Sequence, residues 1–146
     1  MRRKVILYNP RCVFWTMPLA LVAVGSALDP AEYEVIIVDG RFESDPVRAL
    51  LQRLDDSTVC VGITVLTGAP IRDALIVTRA IHAARPALPI VWGGWHPSLF
   101  PVECLEEEGV TATVVARTLD PRSIYDARFT EREVKKLQDE RKPPAG

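Results

Sequence analysis

Thr58-Val59-Cys60-Val61-Gly62-Ile63-Thr64-Val65-Leu66-Thr67-Gly68-Ala69-Pro70 reads as a strand that empties into a helix. Thr58 to Thr64 is nearly continuous in apolar and β-branched residues, the pattern of a strand buried on both faces of a parallel sheet, and Cys60 between Val59 and Val61 reads as core. Val65 to Ala69 is small and turn-rich. Gly68-Ala69-Pro70 then opens a helix that runs to about Ala84, where Arg85-Pro86 stops it.

Outward from this stretch the same unit recurs. Lys4 to Tyr8 reads as a first strand and Pro18 to Leu28 as a helix ended by Asp29-Pro30. Glu34 to Val38 is a second strand stopping at Asp39-Gly40, and a helix follows from an Asp45 N-cap with Pro46 behind it to Leu54. Pro89 to Trp92 is a fourth strand, Pro101 to Glu107 a short helix and Thr111 to Ala116 a fifth strand. Alternation of this kind, with short connections, lays helices on both faces of a parallel sheet because each crossover is right-handed. The expected fold class is therefore α/β, a flavodoxin-like (Rossmann-like) three-layer sandwich with a five-stranded parallel sheet of order 2-1-3-4-5. In such a sheet ligands bind at the carboxyl ends of the strands beside the point where the order reverses. Residues 1–118 are expected to form this domain. Residues 119–146 read as a C-terminal extension whose charged helix, Thr130 to Arg141, carries a narrow stripe of Val134 and Leu137 for docking on the domain or on another chain.

Composition narrows the function classes. With 146 residues, 48% hydrophobic and 25% charged, the chain has enough apolar mass for one cored domain. A formal net charge of −1 and scattered basic residues give no footprint for nucleic acid. The apolar runs are too short to span a bilayer, and Asn9-Pro10-Arg11 interrupts the first before it resembles a secretory leader, so a cytoplasmic protein is expected. Cys12, Cys60 and Cys104 lie far apart, which fits free thiols and no metal-binding pair.

At the ligand edge, three loops stand out. The first holds Asn9-Pro10 and Phe14-Trp15, the second Val65-Leu66-Thr67-Gly68-Ala69, and the third Gly93-Gly94-Trp95-His96-Pro97-Ser98. The glycine pair lets backbone approach a bulky ligand, while Pro97 and Pro101 are expected to hold the third loop open without regular hydrogen bonding. A phosphoacceptor receiver would need acids after strand one, an aspartate ending strand three and a lysine ending strand five. Those places hold Asn9, Thr64 and Arg117. An FMN site would need a hydroxyl- and glycine-rich first loop, and neither G-x-G-x-x-G nor a P-loop nor G-x-S-x-G occurs. Of the two histidines, His82 lies in a helix, and His96 stands in the third loop with no carboxylate or thiol tied to it by sequence. What remains is a mostly apolar site suited to a large, flat, uncharged cofactor.

Asn9-Pro10, Pro18-Leu19-Ala20, Val38-Asp39-Gly40, Val61 through Gly68, and Gly93-Gly94-Trp95-His96-Pro97 followed by Pro101-Val102-Glu103 together resemble the N-terminal cobalamin-binding domain of the B12-dependent radical SAM proteins, over about residues 4 to 116. The resemblance implies a cobalamin lying across the carboxyl ends of the strands with its nucleotide tail beside strand one. It implies cofactor contacts from Asn9, Pro10, Thr64, Val65, Leu66, Thr67, Gly68, Gly93, Gly94, Trp95, His96, Pro97 and Arg117, with Leu66 facing the lower side of the cobalt. The D-x-H-x-x-G motif of mutase-type B12 domains is absent, so no protein imidazole is expected on cobalt and the cofactor's own base is expected to be displaced. The C-x-x-x-C-x-x-C cluster motif of radical SAM enzymes is absent too. The chain is thus expected to bind rather than catalyse, as a carrier, a sensor or a detached subunit of a radical or methyl-transfer partner, with a protein partner or a homodimer possible. Two other readings stay open: a small transferase or hydrolase using His96, and a relative that has lost its ligand and serves as an interaction or dimerisation domain. Gly94→Val is expected to block the ring while sparing the fold.

Overall fold

In the computed structural model, residues 1–13 and 17–115 are described. The expected Arg117 contact, Phe14-Trp15 and the 119–146 extension lie outside the described residues. The chain order is β1 (Arg3–Asn9), α1 (Leu19–Ser26), β2 (Tyr33–Asp39), α2 (Pro46–Leu51), β3 (Thr58–Thr64), α3 (Ala69–Ala84), β4 (Ile90–Gly93), α4 (Trp95–Leu99), α5 (Pro101–Leu105) and β5 (Ala112–Thr113). All strand pairs are parallel, and the five-stranded sheet runs β2-β1-β3-β4-β5, the flavodoxin-like order.

The period-2 alternation of the strands divides the apolar residues between two unequal faces. Ile6, Tyr8, Val38, Val61, Ile63, Ile90 and Trp92 point to one face and join Leu50 of α2, Ala74, Val77 and Ile81 of α3, and Cys104 of α5 in the main core. Among the described residues the other face carries only Val5 and Leu7 of β1 with Leu21 of α1 as a buried cluster, with Val35 packed at its margin. Leu21 is the one buried residue of α1. Burying a single leucine contributes about 2 kcal/mol, so α1 has a thin dock on the sheet. Its other apolar side chains remain open to solvent, Leu19 at 65% and Val24 at 56% exposure.

This asymmetry corrects two expectations. β3 is buried on one face only: Val61 and Ile63 are in the core, while Gly62 and Thr64 face the thinly covered side and are half-buried. Cys60 shares that second face and is likewise half-buried rather than core, with burial still pushing its thiol pKa up. Helix bounds are tighter than the sequence suggests. Asp45 does cap α2, its carboxylate accepting from the Arg48 N–H at 3.0 Å, but α2 stops at Leu51, and α1 begins after Pro18 and stops at Ser26. β5 is confined to Ala112 and Thr113.

A third correction concerns the stretch after β4. Instead of an open loop it turns at once into α4. Gly94, at φ +96° and ψ −162°, takes a backbone conformation that side chains on Cβ resist, and reverses the chain. The His96 N–H then donates to the Val65 carbonyl at 3.0 Å, the Ser98 N–H and hydroxyl both donate to the Gly94 carbonyl, and the Phe100 N–H to His96. Pro97 sits in the first turn, where a helix N–H has no intrahelical acceptor, so its missing donor costs nothing there.

Candidate functional site

Because α1 rests on β1 and β2, the second face of β3 and β4 is left as a slot. It is about 180 Å³ in volume and runs from mid-strand Leu7, Gly62 and Val91 to Thr64, Gly93 and Gly94 at the carboxyl ends, walled by Leu21 and Val24 of α1. Its lining is almost wholly apolar. One glycine opens it. A Cβ on Gly93 would meet nothing nearer than Val114 Cβ at 3.7 Å, an ordinary contact, so the absent side chain leaves space. Gly62 is tighter, with Leu7 Cδ2 only 2.9 Å from where its Cβ would stand. Thr64 supplies the slot's polar side chain, and its hydroxyl has no hydrogen-bond partner among the described residues.

Gly94 acts differently from its neighbour. A Cβ there would lie 2.9 Å from Thr64 Oγ1 and 3.2 and 3.3 Å from the backbone N and O of Val65, so it is needed for the backbone crossing itself. The expectation that Gly94→Val spares the fold is therefore corrected. The close approach joins the ends of β3 and β4, which are further tied by the Val65 N–H donating to the Gly93 carbonyl at 2.8 Å.

The remaining sequence-based candidates divide by position. Val65 and Pro97 are fully buried and offer nothing to a ligand by way of side chains. Leu66, Thr67 and Gly68 are exposed on the rim, as is Trp95. His96 is half-buried, its Nδ1 3.3 Å from Thr67 Oγ1 and its ring tilted against Phe100 at a centroid distance of 5.1 Å. It borders a separate hollow of about 310 Å³ against Leu75, Trp92 and Glu103, on the main-core side of the rim. Thr67 thus braces His96 across the two loops, and the pair is not part of the slot.

Asn9 and Pro10 end β1. Asn9 Nδ2 donates to Asp39 Oδ1 at 3.3 Å, and Pro10 is buried. The chain beyond is clamped: Asp73 of α3 accepts from the Tyr8 hydroxyl at 2.5 Å and the Arg11 N–H at 2.8 Å, while the Arg11 guanidinium donates to the carbonyls of Gly40, Glu43 and Ser44. Tyr8 is fully buried, and that burial, followed by the Asp73 hydrogen bond, raises its pKa far above the ordinary phenol value. Cys12 lines a different open hollow with Arg72 and Ile76. Among the described residues no cluster of three or more His, Cys, Asp or Glu could hold a metal ion, and no helix is long and apolar enough to cross a membrane.

Asp39 ties this frame to pH. Burial pushes its carboxyl up, but hydrogen bonds from the Arg41 side chain and N–H and from Asn9 outweigh it, and the net pKa is lowered. A depressed carboxylate contributes stability that is complete above the unfolded value of about 3.9 and is lost as pH falls through the folded value. Asp39→Asn is accordingly expected to lower stability at pH 7 and to narrow the gap to the native protein as the pH drops below about 4. Urea midpoints across that range measure it, and a gap independent of pH would contradict the assignment.

Sequence reasoning missed most of the slot: Leu7, Ala20, Leu21, Val24, Gly62, Ile63, Val91 and Val114. One signal was present, since a glycine inside an apolar strand, as at Gly62, marks close approach to the backbone.

The B12 binding domain profile matches residues 13–121. No curated protein matches the chain in sequence. Among solved structures, a novel cobalamin-binding protein from Desulfitobacterium hafniense DCB-2 superposes with a TM-score of 0.58 at 14% identity, covering 77% of this chain and 52% of that one, so this chain spans about half its length. The RcsB response regulator of Salmonella typhimurium superposes with a TM-score of 0.52 at 16% identity over 95% of this chain and 67% of that one. RcsB dimers bound to DNA give 0.54 at 15% identity, over 95% and 68%. At these identities the likeness is one of fold, shared by proteins of unlike function.

Proposed function

Since this chain belongs to the B12-binding domain family, we propose that it is a cobalamin-binding module that takes the cofactor base-off, with no histidine on cobalt. The observation that carries the reading is the slot under α1, an apolar cleft that a side chain at Gly93 would fill. The nucleotide tail would enter it beside Leu21, over the strand face where Gly93 adds no side chain. The corrin would rest on the rim at Leu66, Thr67 and Trp95, the exposed ends of two loops that the bonds from His96 and Val65 hold rigid. Leu66, 47% exposed, is the side chain proposed to face the lower side of the metal and keep water from it.

Bound cobalamin supplies a cobalt centre for methyl-transfer or radical chemistry. The chain's own part is to bind and orient. His96 suits bracing better than a cobalt ligand, because its ring lies against Thr67 and Phe100 beside the hollow on the opposite side of the rim. A carrier, a sensor or a detached subunit serving a separate catalytic protein is the role proposed, with residues 119–146 as its C-terminal extension.

The purified protein mixed with hydroxocobalamin in the dark and then desalted is expected to keep a corrin band with the base-off spectrum. After reduction to the cob(II) state, the paramagnetic resonance signal is expected to lack nitrogen splitting from an axial imidazole or benzimidazole. A corrin band lost on desalting would refute binding, and a nitrogen triplet would refute the ligand-free lower face.

A further inference from the structure

We infer that two copies of this chain pair along the outer edge of β2, antiparallel about Ile36, so that their sheets run on into one. The pairing concerns assembly and stands apart from the cobalamin reading. β2 closes the sheet on the side opposite β5, and of these two outer strands it is the long one, seven residues against two. Edge strands of natural proteins are commonly guarded by proline, lysine or a bulge. Tyr33-Glu34-Val35-Ile36-Ile37-Val38-Asp39 has neither proline nor lysine, and its register with β1 runs without a shift. Ile37 is 38% exposed.

The backbone groups on this edge match those of a second copy. At the two ends of the β1–β2 ladder, the Arg3 N–H donates to the Glu32 carbonyl at 2.9 Å and the Gly40 N–H to the Asn9 carbonyl at 2.8 Å. The even-numbered residues of β2 therefore turn their backbone groups toward β1, and Tyr33, Val35, Ile37 and Asp39 turn theirs outward. Two outward groups are held within the chain: the Tyr33 N–H donates to the Asp29 carbonyl, and the Asp39 carbonyl accepts from the Phe42 N–H. Among the described residues, the N–H groups of Val35, Ile37 and Asp39 and the carbonyls of Tyr33, Val35 and Ile37 have no such bond. A twofold axis at Ile36 sets Val35 against Ile37 of the second copy, and Tyr33 against its Asp39. Val35 and Ile37 then exchange both bonds, the Asp39 N–H donates to the Tyr33 carbonyl, and every remaining outward group is used. Sliding the register by two residues either way leaves some of them unpaired. The side chains agree with this register. β-Branched Val35 and Ile37 meet on one face, Ile36 meets its own copy on the other, and Glu34 stands opposite Val38, so like charges are not opposed. The Asp39 carboxylate comes beside the Tyr33 ring, over which the Arg3 guanidinium lies 4.3 Å from the centroid, a charge of opposite sign. A contact made by one strand from each copy is small, so the dimer is weak and dependent on concentration.

Sedimentation velocity of the full chain at rising concentration is expected to show a monomer–dimer equilibrium. Ile37→Pro removes an outward N–H and none from the β1–β2 ladder, so it is expected to abolish the dimer and keep the monomer folded. Ile37→Lys, at an exposed position, is expected to weaken the dimer by about tenfold or more, and it serves as the test if the proline variant does not fold. Ile36→Cys places two thiols in a non-hydrogen-bonded pair with Cα atoms about 4.5 Å apart, and it is expected to oxidise to a covalent dimer beyond any formed by the native protein. Glu34→Cys, facing Val38, is expected to form none under the same oxidant. A chain that is monomeric at every concentration overturns the pairing. A dimer that both Ile37 variants leave unchanged overturns its place on β2, and cross-linking through Glu34→Cys instead of Ile36→Cys overturns the register.

Discussion

Gly93→Leu is expected to weaken cobalamin binding by about a hundredfold or more, about 3 kcal/mol, while the ligand-free protein melts at the same temperature or higher. The two halves of that expectation come from one geometry. The backbone at Gly93 is ordinary strand, and a Cβ there meets only Val114 at 3.7 Å, so the fold accepts a side chain. The isobutyl group then extends into the slot beside Leu7, Leu21 and Val24, gaining apolar contact in the empty protein and displacing whatever would lie there. Retention after desalting, read beside the melting curve of the apo form, checks it. Undiminished retention by this variant would remove the slot from the site.

Gly94→Val, one residue along, is expected to act on the fold. Its backbone lies in a region nearly confined to glycine, a strain of about 1–3 kcal/mol for any other residue. The new side chain also presses on the Val65 backbone, which must shift and loosen the His96 N–H bond to the Val65 carbonyl. A loss of about 3 kcal/mol, or about 10 °C in Tm, is expected with no cofactor present. A Gly94→Val protein as stable as the native one would mean that the strand ends are not joined as described. The adjacent glycines thus separate the two requirements of the site, Gly94 closing the sheet's rim and Gly93 leaving room beneath it.

The sheet order was legible because strand and helix alternate with short links, and a right-handed crossover leaves few ways to wind them. Thr58–Thr64, Ala69–Ala84 and the Asp45 cap stand where periodicity put them. The slot was not legible, for a physical reason. A period of two says that Gly62, Thr64 and Val91 share a face with Leu7, but not how much of that face a helix covers. That depends on α1 being only Leu19–Ser26 and seated over β1 and β2. α4 was hidden for another reason, since Pro97 reads as a breaker until it is placed in a first turn, where no N–H is needed. Of the residues singled out for the cofactor, Thr64, Gly93 and Gly94 meet in the slot. Leu66, Thr67, Gly68 and Trp95 are exposed beside it, and Val65, Pro97 and Pro10 are buried.

Thermal unfolding of the full chain with and without hydroxocobalamin in the dark tests the central claim most directly, because a ligand held only by the native state must stabilise it. At a free concentration of about one hundred times the dissociation constant, stabilisation of about 2.7 kcal/mol is predicted, a rise in Tm of about 10 °C. A melting temperature that stays fixed across rising concentrations of cobalamin would contradict the account.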